Sequence, residues 1–152
     1  VWTDGGIVQV EHISTTRFFR PEMLLGEVTS AYGTSHSKIF LAFGPEERML
    51  RLSFDGRSLG PTPAEAARVK AELEHVRQAG VAYDIEERTE GVCALSVPVR
   101  DGTCASVASL AVIVPTDRFD RVRRESIATL ARHTGMAISE ELGFRRAHDP
   151  AT

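Results

Sequence analysis

Val92 to Pro115, VCALSVPVRDGTCASVASLAVIVP, decides how the rest of the chain reads. β-Branched and small apolar residues run on either side of Asp101-Gly102. That dipeptide favours a two-residue hairpin turn, because glycine takes a positive φ without a Cβ clash. With such a turn, paired residue numbers sum to 203: Val99 faces Cys104 and Cys93 faces Leu110. Cys93 and Cys104 then share a face but lie roughly 20 Å apart along the ladder, at about 3.3 Å per residue. A disulfide needs Cα atoms within about 7 Å, so both are expected to be free thiols, as a reducing cytoplasm keeps them. The other face carries Val92, Ala94, Ser96, Ala105, Val107, Ser109, Ala111 and Ile113. A sheet face of small residues leaves volume above it: either a helix packs very close there, or the space is a ligand cavity.

Outward from this hairpin, strands and helices alternate. Asp4-Gly5-Gly6 signals a turn, and the β-branched run Ile7 to Ile13 after it reads as a strand. Pro21 to Val28 reads as a second extended stretch. Tyr32 to Ser35 is a loop, in which Thr34 or Ser35 caps a helix beginning near Ser37 that buries Ile39, Phe40, Leu41 and Phe43. Gly44-Pro45 stops it, and Glu46 to Leu52 is a further short helix. Thr62-Pro63-Ala64-Glu65 is the clearest helix start: threonine caps, proline fits the first turn, and glutamate closes a capping box. Val69, Leu73 and Val76 form its apolar stripe and Gly80 ends it. Val81 to Ile85 returns as a strand. A last helix from Phe119 or Arg121 to Leu142 is expected to bury Ile127, Leu130, Ile138 and Leu142. Hairpins rather than crossovers between strands indicate an α+β fold with a mainly antiparallel sheet.

The chain has 152 residues, 42% of them hydrophobic and 26% charged, which suits a single domain spanning residues 1–152. Eighteen basic residues, all arginine apart from Lys38 and Lys70, against twenty-one acidic ones leave a net charge of −3. A domain that binds nucleic acid by neutralising phosphates is basic, so this one is a poor candidate for that role. No apolar run approaches the ~20 residues of a membrane span, and nothing resembles a signal peptide. Two cysteines are too few for a disulfide scaffold, and no Cys/His spacing matches a zinc site. The first residue is Val rather than Met, which is expected of a fragment of a longer chain.

Taken in order, these features resemble the effector-binding domain of the IclR-type transcriptional regulators. In that family a loop of pattern H-A-T-A-x-G-K opens a helix ending in L-A-F; here Tyr32-Gly33-Thr34-Ser35-His36-Ser37-Lys38 leads into Ile39-Phe40-Leu41-Ala42-Phe43. A capped helix ending R-x-x-G is matched by Arg77-Gln78-Ala79-Gly80. The pattern G-Y-A-x-D-x-E-E before a glycine is matched by Gly80 to Glu87 and Gly91. A-x-P-V-x-D is matched by Ser96 to Asp101, followed by Pro115, Arg118 and a helix closing on Leu142-Gly143. The match runs from Ile7 to Gly143, and its specificity lies in order and spacing rather than in any one element.

The resemblance implies a GAF-like fold, with an antiparallel twisted sheet of about six strands flanked by helices. It implies a domain that binds a small effector rather than catalysing and that pairs into homodimers or tetramers; no cofactor is expected and no metal ligand is assigned. DNA would be bound only through an N-terminal winged helix-turn-helix absent from these residues, with no membrane partner. Carried over by position, the family's polar loop contacts fall on Ser35 and His36, whose amides near a helix start suit a carboxylate. Its acidic position falls on Asp84, and the pocket position after Gly91 on Ala94, with Cys93 beside it. Its final-strand positions fall on Ala111 and Ile113, or on Ser109 if the stretch after Gly102 is two residues longer than usual. Tyr32 and Ser37 depart from the loop pattern, and Ala111 and Ile113 lack hydroxyls. A pocket of that kind would favour a larger or aromatic effector over a small keto acid.

Each site residue also has a plainer reading. Asp84 reads more readily as a water-exposed aspartate at a sheet edge, and His36 more often as a surface capping residue at a helix start. Lys38 is expected to meet a carboxylate such as Glu86 or Glu87, and Cys93 to be a small buried hydrophobe. Ser35-His36-Ser37 offers a hydroxyl and a base, but no oxyanion donor or G-x-S-x-G turn accompanies them. His12, His75, His133 and His148 form no i, i+4 pair for a metal. The charges between Glu65 and Arg77 read as a solvated helix face. A ligand-free dimerisation module and a small acid/base enzyme are the competing functions.

Overall fold

The computed structural model describes residues 1–4, 6–14, 25–54 and 60–145. Strands β1 (Trp2–Thr3), β2 (Gly6–Val8) and β3 (Val28–Thr29) form one sheet in that order. Helices α1 (Ser35–Ala42) and α2 (Pro63–Ala79) follow, separated by a 3-10 turn over Glu46–Arg51. Strands β4 (Ala82–Ile85), β5 (Val92–Arg100) and β6 (Ser106–Pro115) form the second sheet, and α3 (Arg121–Glu141) closes the described fold. All pairings between named strands are antiparallel. The fold is therefore α+β as expected, with its six described strands divided between two three-stranded sheets.

The helix signals act locally and hold. The Thr34 hydroxyl accepts the Ser37 amide at 3.1 Å, starting α1 two residues before the expected Ser37. Around Thr62 the full capping box forms, and Gly80 closes α2 at φ +64°, a conformation glycine adopts without strain. Helix α1 is buried on nearly every side, with Ile39 and Phe40 wholly inaccessible. Its Ile39 and Leu41 share a core with Val69, Leu73 and Val76 of α2 and with Ala82 of β4.

Three expectations give way to tertiary contacts. The first concerns the hairpin, where the turn spans Asp101 to Ala105. The Asp101 carboxylate accepts the amide and hydroxyl of Thr103 at 2.9 and 2.6 Å, and Gly102 donates its amide to the Leu142 carbonyl at the end of α3. Paired numbers sum to 207 over Val92 to Val99, so Cys93 faces Val114 and Ala94 faces Ile113. A shift of four is even, so the side chains of residues 92–99 and 108–115 keep the faces assigned to them from a two-residue turn; an irregularity between Val99 and Arg100 then pairs Arg100 with Ser106. Cys104 lies in the turn, exposed, and both thiols are free.

The second is the buried face of α3. Leu130, Ile138 and Leu142 are 66, 39 and 48% exposed, and the helix instead buries Ala128, Ala131, Gly135 and Ser139. That small stripe lets α3 sit so close to β5 that a Cβ on Gly135 would lie 2.8 Å from Val97 Cγ2. It packs on Cys93, Leu95 and Val97, the face opposite the small-residue face. The third is the first strand: β2 ends at Val8, leaving Val10 60% and Ile13 91% exposed. Of the expected extended stretch from Pro21, residues 21–24 lie outside the described residues, and strand appears only at Val28–Thr29.

Candidate functional site

The small-residue face is roofed in part by α1. Ser35 Oγ and Ser96 Oγ share a hydrogen bond of 2.7 Å, both fully buried. At the other end of the helix the ring of Phe43 lies 4.8 Å from the Arg100 guanidinium. Helix α1 therefore runs over the Ser96-to-Arg100 half of β5. Beyond its amino end lies the row Asp84–Ala94–Ile113, paired in register across all three strands of this sheet, with Ala94 and Ile113 half-buried. Of the two sequence readings of this face, the close-packed helix holds over its Ser96-to-Arg100 half.

Of the eight residues singled out from sequence, Asp84, Ala94 and Ile113 share one row, Ser35 is bonded to Ser96 beside it, and His36 follows Ser35 in the first turn of α1. Ala111 lies opposite Ser96 and is exposed; Ser109 lies opposite Pro98, further along the helix-covered half. Cys93 does not join them: it points to the α3 side, 1% exposed, with Sγ 3.4 Å from the Thr116 hydroxyl. Alternation along a strand sends neighbouring side chains to opposite faces, so Cys93 and Ala94 never share a site.

Electrostatically the site is mixed. The Asp84 carboxyl is 7% exposed, not at a wet sheet edge, and accepts the Glu87 amide at 2.9 Å. Burial raises its pKa above the ordinary value, with that hydrogen bond partly opposing the rise. His36 is half-buried, and loss of solvent pulls its pKa down to about 4, so the ring is neutral at pH 7. The amides of Ser35 and His36 open the helix and have no carbonyl one turn back. With no acidic residue in the first turn, they present unopposed positive dipole.

Sequence reasoning missed the support beneath this loop. Lys38, 1% exposed, places Nζ 2.8 Å from the Tyr83 carbonyl and 2.6 Å from carboxylates of both Glu87 and Glu72, so its three N–H groups are satisfied. Glu87 was anticipated; Glu72, read as part of a solvated face, was not. Tyr32, which stands where the family pattern has histidine, donates to Glu72 at 2.6 Å and stacks on Phe54 with centroids 4.6 Å apart. Lys38 is thus a strut between α1, α2 and the β4–β5 loop. A lysine inside an apolar helix was the one available signal. Across that loop the stem of Arg88 lies against Gly33, within 3.5 Å of where a Cβ would be. A separate open groove of about 330 Å³, lined by Trp2, Asp4, Pro45, Glu47, Arg48 and Arg51, shares no residue with this site. Among the described residues no cluster of His, Cys, Asp and Glu is arranged to hold a metal.

An α+β domain with a helix amino terminus poised over a partly open sheet belongs to the class of small-molecule sensor domains. The family profile described as the bacterial transcriptional regulator IclR C-terminal region matches residues 1–140, and the chain belongs to that family, whose C-terminal domains are effector-binding and oligomerisation domains of transcriptional regulators. It is 31% identical to the glycerol operon regulatory protein of Streptomyces griseus over 93% of this chain and 57% of that protein. It is 30% identical to the DNA-binding transcriptional repressor YiaJ of Escherichia coli over 86% of this chain and 48% of that one. The structure of Pseudomonas aeruginosa HmgR superposes with a TM-score of 0.80 at 26% identity, covering 97% of this chain and 59% of that one. The chain thus spans about half the length of these curated relatives, and the GAF-like fold expected from sequence is the fold of its structural neighbours.

Proposed function

We propose that this domain senses a small organic acid at the amino end of α1 and passes its occupancy to a DNA-binding segment outside these 152 residues. The observation that carries the reading is the α1 terminus, where Ser35 rests on Ser96, two residues along β5 from Ala94 of the row Asp84–Ala94–Ile113, and the first-turn amides have no carbonyl one turn back. Unpaired helix amides and the helix dipole attract a carboxylate. Ala94 and Ile113 offer an apolar floor, which favours an aromatic or branched acid over a small keto acid. The domain acts by binding rather than by catalysis, in a homodimer or tetramer, in a reducing cytoplasm that suits its two free thiols. Among the described residues no helix is long and apolar enough to cross a membrane. For the effector to switch anything, it must bind one subunit arrangement better than another.

A thermal-shift screen of aromatic, dicarboxylic and keto acids against the full-length protein tests this. A ligand at a hundred times its dissociation constant adds about 2.7 kcal/mol. The expected hit is an aromatic acid whose effect is lost in Asp84→Asn and His36→Ala. No stabilisation by any acid would remove the sensor reading in favour of a ligand-free assembly module. The internal Ser35–Ser96 and Asp84–Glu87 hydrogen bonds are what favour that second reading.

A further inference from the structure

An apolar stripe runs along one flank of α3, outside the small-residue face that meets β5. At 100° per residue, Arg123, Ile127, Leu130, Thr134, Ile138 and Glu141 fall in one row, at spacings of three and four. Leu130 and Ile138 are exposed and Ile127 is half-buried. The opposite flank is occupied, since Arg132 Nε donates to the Ala79 carbonyl at the end of α2 at 3.1 Å. Gly80 leads from α2 into β4, so the occupied flank is the β4 side and the open flank is the β6 side. Leu110, Val112 and Val114 of β6 are half-buried against the same core as Ile127.

The charges of α3 run against its own dipole. After the Asp120 cap, its first turn carries Arg121, Arg123 and Arg124 and no acid, while its last turn carries Glu140 and Glu141 and no base. The amino end of a helix favours negative charge and the carboxyl end positive, so this arrangement weakens α3 taken by itself. Within the stripe, Arg123 pairs only with the exposed Asp120 carboxylate, at 3.5 Å, and Glu141 has no ion-pair partner among the described residues.

A second α3 laid antiparallel on this flank answers both features. The stripe is symmetrical about Arg132, so residue numbers facing each other across a two-fold axis sum to about 264. Arg123 then faces the partner's Glu141, Ile127 faces the partner's Ile138, and Leu130 faces the partner's Thr134. The basic end of each helix lies beside the acidic end of the other. A parallel pair would set Arg123 against the partner's Arg123 and Glu141 against the partner's Glu141. These are the only charged residues in the stripe, so charge alone selects the antiparallel direction.

We propose that α3 is a self-association surface, on which two copies of this chain pair through an antiparallel α3–α3 contact. Ile127, Leu130 and Ile138 form its apolar centre, and Arg123–Glu141 ion pairs close both ends. The same patch serves on each copy, as a two-fold interface requires. This contact gives a face to the homodimer of the proposed function. It needs neither an effector nor any residue outside this chain, so a failed dimer and a failed ligand screen are separate results.

Sedimentation equilibrium of the 152-residue chain tests it. The expected result is a dimer that Leu130→Asp weakens at least about tenfold, because a carboxylate is then desolvated at the centre of the contact. Helix content by circular dichroism stays unchanged, since Leu130 is exposed in the single chain. Arg123→Glu and Glu141→Arg each place like charges at both ends of the pair, and each weakens the dimer about fivefold at low salt. The two substitutions in one chain restore it, a rescue that only facing ends can give. The proposal is overturned if the chain sediments as a monomer at all concentrations. It is equally overturned if Leu130→Asp leaves the dimer intact, which assigns it to another face, or if the double reversal fails to restore it.

Discussion

Two titratable side chains, one buried and one half-buried, set the behaviour of the site at the scale of single residues. Lys38 is held by three acceptors and links three elements. Lys38→Met keeps the volume but leaves Glu72 and Glu87 without their cation. Removing one partner of a buried ion pair costs 3–5 kcal/mol, and the partial exposure of both carboxylates puts the expected loss at the lower end, about 3 kcal/mol by urea unfolding. His36 acts through pH. Its pKa falls from 6.5 unfolded to about 4 folded, so the unfolded chain takes up the proton first. The stability involved is complete above pH 6.5 and declines as pH drops toward 4, by up to about 1.4 kcal/mol per unit. Glu72 is displaced by burial upward and by Lys38 and Tyr32 more strongly downward, for a net lowering. Its contribution is present above the unfolded value of 4.5 and is lost only as pH falls through the lower folded value. In melts recorded from pH 7 to 4, His36→Gln is expected to flatten the upper part of the acid limb and leave the lower part unchanged.

Elements are positioned here by small residues as much as by large ones. The α3 helix was expected to bury its bulkiest apolar side chains, and it buries alanine, glycine and serine instead, because these allow the closest approach to β5. The approach also completes backbone bonding: the Ser139 hydroxyl accepts the Arg100 amide at 2.9 Å. Gly135→Ala improves intrinsic helix propensity by about 1 kcal/mol, but puts a methyl 2.8 Å from Val97 Cγ2 and 3.3 Å from the Pro98 carbonyl. Overpacking of this kind costs about 1–3 kcal/mol. A net loss of stability is expected, with helix content by circular dichroism unchanged; a higher melting temperature would contradict the close-packed stripe. The same logic explains the hairpin, where an α3 carbonyl captures the Gly102 amide and a longer turn replaces the two-residue one.

For the whole molecule, burial separates the two thiols by function as reporters. Cys104 sits exposed in the β5–β6 turn and Cys93 lies inside the α3 core. A thiol reagent is expected to modify one cysteine rapidly in the native protein. The second should react at a rate that tracks global unfolding and that slows when an effector binds. Rapid modification of both would mean that the α3 layer opens independently of the rest. The proposed site draws on three parts of the molecule. Its roof is α1, its floor is the β4-β5-β6 sheet, and the strut from Lys38 connects it to α2, so substitutions far from any ligand are expected to alter affinity.

Much of this was legible in the linear chain because it rests on local chemistry. Thr34, Thr62 and Gly80 mark helix ends through bonds made within four residues. Strand alternation assigned Ala94 and Ile113 to one face, and the longer turn preserved that assignment because it shifted the register by an even number. The same alternation separates Cys93 from that face, a consequence already implicit in the sequence. What the chain could not declare were contacts between residues distant in sequence. These are the pairing of Lys38 with Glu72 of α2 and the Gly102–Leu142 bond that lengthens the hairpin. The burial of the small face of α3 belongs with them. Each follows from which surfaces meet, and hydrophobic periodicity ranks side chains by size and polarity alone. How closely two surfaces can approach is decided only when both are in place.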